Sequence, residues 1–156
     1  MLSNLMKENS YQIDYVNPTA IGMKNAFGIY LRGCLHNNQP YCLEAKRNLF
    51  LCLDYVHQEM DEKTLVAVYI DVCDIRNAGY QAFNGMMADL RAGFFTKVLF
   101  KSLEEILLNS FICNKLVELT ELINSIQLMD TNHNVFQASK ICIPEILIGY
   151  EDKKNR

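Results

Sequence analysis

The chain has 156 residues, half of them hydrophobic and 21% charged, which fits one globular domain and is too apolar for a disordered chain. Its formal net charge is −3 and its isoelectric point is about 5.6. It therefore lacks the excess of positive charge that a protein usually carries when it binds DNA without a partner. No apolar run approaches the roughly 18 residues of a membrane span, and the N-terminus has no apolar signal-peptide core, so we expect a cytoplasmic protein.

The cysteines are scattered without a C-x-x-C pair, and most lie in apolar runs. In a reducing cytosol this pattern predicts small buried hydrophobic residues and no disulfide framework. A metal site built on Cys34 and His36 would need two further ligands, and the spacing indicates none, so we expect neither a metal nor another cofactor. The six cysteines are Cys34, Cys42, Cys52, Cys73, Cys113 and Cys142.

The first half of the chain predicts a strand, a helix and a second strand. Residues 1–22 are polar and aperiodic and are interpreted as an N-terminal extension to one domain at 23–156. Residues 27–31 are short, apolar and β-prone, as in a buried strand. Helical spacing of apolar residues runs over about 41–60. The clearest strand is 65–70, which is rich in valine and isoleucine.

The second half repeats this alternation. Apolar residues at i, i+3, i+4 and i+7 predict an amphipathic helix over 83–90, which is closed by Gly93 and whose two methionines are expected in the core. A third strand at 98–100, a helical stretch around 112–123 and a fourth strand at 126–129 follow.

The last segment begins with a turn, DTNHN at 130–134, which imitates the start of an EF-hand loop. Val135 stands where that loop needs glycine and Ile141 where it needs glutamate, so no calcium site is expected. The tail at 136–156 is predicted to be helical in its later part, with a kink at Pro144.

Alternating strands and helices predict an α/β domain of three layers, with a central, mostly parallel sheet of four to five strands and helices on both faces. Active sites in such sheets gather at the carboxyl ends of the strands. Here those ends carry Arg32-Gly33-Cys34, Asp71 and residues 101–102.

Segments at these strand ends match an ordered series of motifs. Residues 30–34 read YLRGC, residues 41–47 read YCLEAKR, and residues 69–71 read YID. They resemble the Y-x-R-V-S, S-L-E-x-Q and Y-x-D segments of the catalytic domain of serine site-specific recombinases, the resolvase and invertase family.

The resemblance continues to the end of the chain and covers residues 24–156. Residues 83–93 are similar to the helix that follows the family's R-P dipeptide. Residues 101–103, KSL, stand where the family has K-S-L before D/S-R-x-x-R. Residues 141–156 are similar to the start of the long helix through which these recombinases dimerise. The order and spacing of the motifs are more specific than any one of them.

The resemblance implies a DNA-cutting enzyme in which a serine hydroxyl attacks a phosphodiester and becomes covalently linked to the DNA. Such a site must activate the hydroxyl and neutralise an anionic transition state, which arginines do well. In this chain the candidate catalytic residues are Arg32, Cys34 at the serine position, and Asp71. Arg32 either contacts phosphate or forms a structural ion pair with Asp71. Sulfur attacks phosphorus poorly, so we expect little or no cleavage by Cys34.

Other family positions are degenerate. Tyr80 and Gln81 stand at the family's R-P dipeptide, and Arg76 is a candidate to supply the missing cation from the preceding loop. Glu104, Glu105 and Leu108 stand at D/S-R-x-x-R, so carboxylates replace cations. A carboxylate in contact with a phosphate repels it by about 1 kcal/mol in water. The alternative interpretation of the two glutamates is an ordinary acidic helix start.

These replacements predict a pseudoenzyme connected with site-specific DNA recombination. It would pair as a dimer with itself or with an active serine recombinase, through residues 141–156 or another face, and would bind DNA weakly or through its partner. Two alternatives stay open: a fragment of an active recombinase that forms the covalent protein–DNA intermediate, and an unrelated small α/β ligand-binding protein. The absence of a glycine-rich phosphate loop counts against the second alternative.

Overall fold

The computed structural model describes residues 11–35, 42–73, 79–123 and 125–137. These residues form six strands and four α-helices, with short 3₁₀ turns before β2 and β3. The elements are β1 (Tyr11–Tyr15), β2 (Phe27–Cys34), α1 (Leu43–Glu59), β3 (Leu65–Cys73), α2 (Gln81–Arg91), β4 (Lys97–Phe100), α3 (Leu103–Leu107), α4 (Ser110–Leu122), β5 (Gln127–Asp130) and β6 (Val135–Gln137).

The strands form one sheet in the order β1-β3-β2-β4-β5-β6. The four central strands are parallel, and the two edge strands pair antiparallel with their neighbours. The predicted α/β class is therefore confirmed, with a mixed sheet whose central strands are parallel. The predicted count of four to five strands was too low, because both edge strands carry weak sequence signals.

Strand β1 comes from the segment interpreted as an extension. It is held mainly by backbone pairing with β3, and its alternation of apolar residues is too short to stand out in the sequence. The Tyr15 hydroxyl donates to Asp89 Oδ2 of α2 at 2.7 Å. A Cβ on Gly85 of α2 would lie 2.6 Å from Ile13 Cδ1, so glycine lets the helix lie close against this strand.

Helices cover both faces of the sheet, as predicted. On one face, α1 packs against β2 and β3 through residues at helical spacing: Ala45, Leu49, Cys52 and Val56. On the other face, α2, α3 and α4 enclose the larger core, in which Met86 and Met87 are buried as expected. None of the helices that the structure describes is long and apolar enough to cross a membrane.

Several boundaries differ from the predicted ones. Strands β2 and β3 run on to Cys34 and Cys73, so Asp71 lies inside a strand and not in the loop that follows it. The helical stretch after β4 divides into α3 and α4. Ser102 and Asn109 cap these two helices, accepting hydrogen bonds from backbone N–H groups three residues on.

Some predictions fall on residues outside the described ranges. The helical tail and the dimerisation segment at 141–156 lie there, as do His36, Arg76 and Cys142. The turn at 130–134 is present, with His133 at φ 66° and Asp130 accepting from the backbone N–H groups of Asn132 and Asn134.

Candidate functional site

A cavity of about 190 Å³ opens at the carboxyl ends of β2, β3 and β4. In the sheet, β3 lies on one side of β2 and β4 lies on the other, so the strand order reverses at this point. Ligands of open α/β sheets bind at such a reversal. The charged and sulfur-bearing side chains in its wall are Arg32, Cys34, Glu44, Cys73, Lys101 and Glu105.

The guanidinium of Arg32 is engaged by neighbouring groups of the protein. Its Nη1 donates to the Tyr30 hydroxyl at 2.9 Å and to the Gly79 carbonyl at 2.7 Å. The group also lies over the Tyr80 ring, 4.3 Å from the ring centroid. The ion pair predicted with Asp71 is present, with Nη1 3.8 Å from Oδ2. Its side chain is only 16% exposed, so most of Arg32 is packed against these groups, although it also lines the cavity.

Asp71 is buried behind Arg32 and joins β3 to the start of α2. Its carboxylate accepts from the Tyr30 hydroxyl at 2.7 Å and from the backbone N–H groups of Ala82 and Phe83 at 2.8 and 2.9 Å. Burial raises the pKa of Asp71, while the hydrogen bonds from Ala82, Tyr30 and Phe83 act in the opposite direction. All of these contacts are internal, so Asp71 positions the first turn of α2 and does not line the cavity.

Cys34, at the position of the family's serine, is exposed at the end of β2. Its Sγ lies 2.9 Å from Sγ of Cys73, its register partner on β3. Burial, then the Cys73 thiol and then the Glu44 carboxylate raise the pKa of Cys34 to about 12. The thiol is therefore neutral at physiological pH and a poor nucleophile.

The prediction that the cysteines are buried hydrophobic residues holds for three of them and fails for two. Cys42, Cys52 and Cys113 are buried. Cys34 is exposed and Cys73 is half-buried, because both lie where the parallel strands leave the core. The pairing of these two sulfurs was not predicted.

The start of α1 forms another wall of the cavity. Glu44 Oε2 accepts from the backbone N–H of Cys34 at 3.2 Å, and Asn48 Nδ2 donates to the Arg32 carbonyl at 3.0 Å. A Cβ on Gly33 would lie 2.6 Å from Cys42 Sγ, so glycine is needed where the helix meets β2. The sequence motif contained Glu44, but its place in the site was not predicted.

The residues after β4 complete the cavity. Lys101 Nζ lies 3.3 Å from Glu105 Oε1, with both side chains well exposed. Glu105 therefore lies in the wall, whereas Glu104 is exposed on α3 and Leu108 is half-buried at its end. Of the degenerate family positions, Glu105 lines the cavity, and the Tyr80 ring stacks against the Arg32 guanidinium.

The charges in the wall offset one another. Arg32 and Lys101 contribute two cations, and Glu44 and Glu105 contribute two carboxylates. Across the described ranges, no group of three or more His, Cys, Asp or Glu side chains is placed to hold a metal ion. Among the described residues of the wall, the positive charges are therefore balanced by an equal number of negative charges.

Comparison of the chain with protein-family models, curated proteins and solved structures finds no match. The resemblance to serine recombinases therefore rests on the ordered motifs in the sequence and stays a prediction.

Proposed function

We propose that this domain is a non-cutting relative of the serine recombinase catalytic domain, located in the cytoplasm, and that it acts as a pairing partner or regulator in site-specific recombination. An α/β sheet with helices on both faces is compatible with such a domain. The observation that carries the proposal is the cavity, where a neutral thiol stands at the serine position beside two carboxylates.

The first support is the state of the nucleophile. Burial and the Cys73 thiol raise the pKa of Cys34 to about 12, so the thiolate is scarce at pH 7. A neutral thiol needs a base to remove its proton, and the neighbouring Glu44 carboxylate accepts a hydrogen bond from the Cys34 backbone N–H. Attack on phosphorus is therefore unfavourable even before the softness of sulfur is considered.

The second support is that both cations in the described part of the cavity wall are engaged by groups of the protein. Hydrogen bonds to Tyr30 and Gly79 and the stacked Tyr80 ring hold the Arg32 guanidinium in place. Lys101 is beside Glu105. A phosphate in the cavity would gain little net attraction, because each cation in the wall is matched by a carboxylate.

The third support is a surface suited to association. Leu43, Phe50 and Leu51 are 39%, 54% and 49% exposed on the side of α1 that faces away from the core. Phe50 and Leu51 line a surface depression together with Arg47 and Asp54. A globular helix normally carries polar residues on this side, so an apolar stripe indicates a contact surface.

The stripe is self-complementary, which favours a second copy of the chain as its occupant. If two α1 helices cross antiparallel with the centre between Phe50 and Leu51, Arg47 of each copy faces Asp54 of the other. A two-fold contact of this kind uses the same patch on both molecules. A contact between two single helices buries less surface area than a standard protein–protein interface, so we expect weak, concentration-dependent association.

The proposal is tested by incubating the protein with supercoiled plasmids that carry genomic fragments of the source organism, then denaturing the mixture and separating DNA-linked protein. We expect no covalent complex from the native chain or from Cys34→Ser, because the serine alone does not replace the missing cations. A covalent complex that is formed by the native chain and lost in Cys34→Ala would contradict the proposal.

A further inference from the structure

Two cysteines meet at the mouth of the cavity, and the proposed function makes no use of their pairing. Cys34 and Cys73 are direct register partners at the ends of the parallel strands β2 and β3. Their Sγ atoms are 2.9 Å apart, and both side chains line the cavity. The backbone N–H of Leu35 donates to the Cys73 carbonyl at 2.7 Å, so the strands stay paired beside the two thiols.

We propose that Cys34 and Cys73 are a thiol modification site that is oxidised reversibly to a disulfide. A disulfide joins sulfurs about 2.05 Å apart, so the two Sγ atoms must approach by only about 0.9 Å. Small side-chain rotations at the strand ends supply this movement without shifting the register. Cys34 is exposed, so a soluble oxidant can reach it, whereas Cys52 and Cys113 are buried in the core. Transient disulfides of this kind are how cytosolic proteins use paired thiols.

The oxidant is a low-molecular-weight disulfide, and the reaction is thiol–disulfide exchange. The Cys34 thiolate attacks one sulfur of the small disulfide, forming a mixed disulfide and releasing one small thiolate, which takes up the proton lost by Cys34. The Cys73 thiolate then attacks Cys34 Sγ, forms the protein disulfide and expels the second small thiol. Two protein thiols lose two electrons and two protons, and the small disulfide gains them as two thiols.

The neighbourhood sets the rate of this exchange. Burial, the Cys73 thiol and the Glu44 carboxylate all disfavour the Cys34 thiolate, so attack is slow at neutral pH and accelerates as the pH rises. Removing the Glu44 charge in Glu44→Gln should speed the first step several-fold. The disulfide would link the ends of the strands that carry Arg32 and Asp71, and would remove both thiols from the cavity wall.

The experiment equilibrates the purified chain with mixtures of oxidised and reduced glutathione at pH 8, blocks free thiols with N-ethylmaleimide and digests with trypsin and chymotrypsin. Chymotryptic cleavage after Tyr41 separates Cys34 from Cys42, so the linked pair can be assigned by mass. We expect a peptide joining Cys34 to Cys73, lost on reduction with dithiothreitol and still formed by the matched control Cys42→Ala.

The single variants separate the two steps. Cys73→Ser should stop at the mixed disulfide of Cys34 with glutathione, because no second thiol resolves it. A native chain that also stops at the mixed disulfide, or one that links Cys34 to Cys42, would overturn the proposal. A failure here leaves the non-cutting proposal intact, since that proposal is read from covalent protein–DNA complexes.

Discussion

Replacing Asp71 with alanine tests the conclusion that this residue holds the start of α2 against β2 and β3. The carboxylate is 1% exposed and accepts three hydrogen bonds, from the Tyr30 hydroxyl and from the N–H groups of Ala82 and Phe83. Alanine would leave these donors buried without their acceptor. It would also remove the partner of Arg32, whose side chain is only 16% exposed.

The cost can be estimated from these contacts. Each buried group left without a partner costs about 1–3 kcal/mol, and breaking a buried ion pair by removing one member costs about 3–5 kcal/mol in total. Because the two figures describe overlapping losses, we expect Asp71→Ala to lower the free energy of unfolding by about 3–5 kcal/mol. Asp71→Asn keeps the shape and one acceptor oxygen, so its loss should be smaller.

Urea denaturation followed by circular dichroism measures both variants, with the exposed Glu121→Ala on α4 as the control. The control should lie within about 0.5 kcal/mol of the native chain. If Asp71→Ala were as stable as Glu121→Ala, the assignment of Asp71 to the structure would be refuted.

Three further outcomes follow from the described contacts. Phe50→Glu should abolish concentration-dependent self-association in sedimentation velocity, whereas the control Leu122→Glu, at an even more exposed apolar residue on α4, should leave it unchanged. Association that persists in Phe50→Glu would exclude α1 as the contact. Gly33→Ala should lower the free energy of unfolding by about 1–3 kcal/mol in urea melts because its Cβ would press on the start of α1, and a neutral effect would mean that this helix can move away. The rate of Cys34 alkylation by iodoacetamide should rise about tenfold per pH unit from pH 7 to 10, and Glu44→Gln should react faster at every pH. A rate that levels off near pH 8 would show that the pKa of Cys34 is not raised.

Most of the fold could be predicted from the sequence because its central elements bury one face or both. The strand over 65–70 and the helix over 83–90 carry dense apolar patterns, and both were placed within a few residues. Strands β1 and β6 were missed because they are short edge strands held by backbone hydrogen bonds, which any side-chain pattern permits.

The site was predictable only where adjacency follows from topology. Parallel strands end at the same edge of the sheet, so Arg32 and Asp71 could be expected to meet, and they are register partners. Cys34 and Cys73 lie two residues further along the same parallel strands, so the register that pairs Arg32 with Asp71 also pairs the two cysteines. Their meeting was missed because the predicted strands ended at residues 31 and 70, which left both cysteines outside the strands.

The central claim, that the cavity cannot cut a phosphodiester, is tested most directly without reference to a DNA sequence. Bis(p-nitrophenyl) phosphate is incubated with the native chain, and p-nitrophenolate release is followed by absorbance. The mass of the intact protein is then measured by mass spectrometry. The account predicts release at the buffer rate and an unchanged protein mass, both in the native chain and in Cys34→Ser. A burst of p-nitrophenolate with a phosphoryl adduct on Cys34, absent in Cys34→Ala, would contradict it.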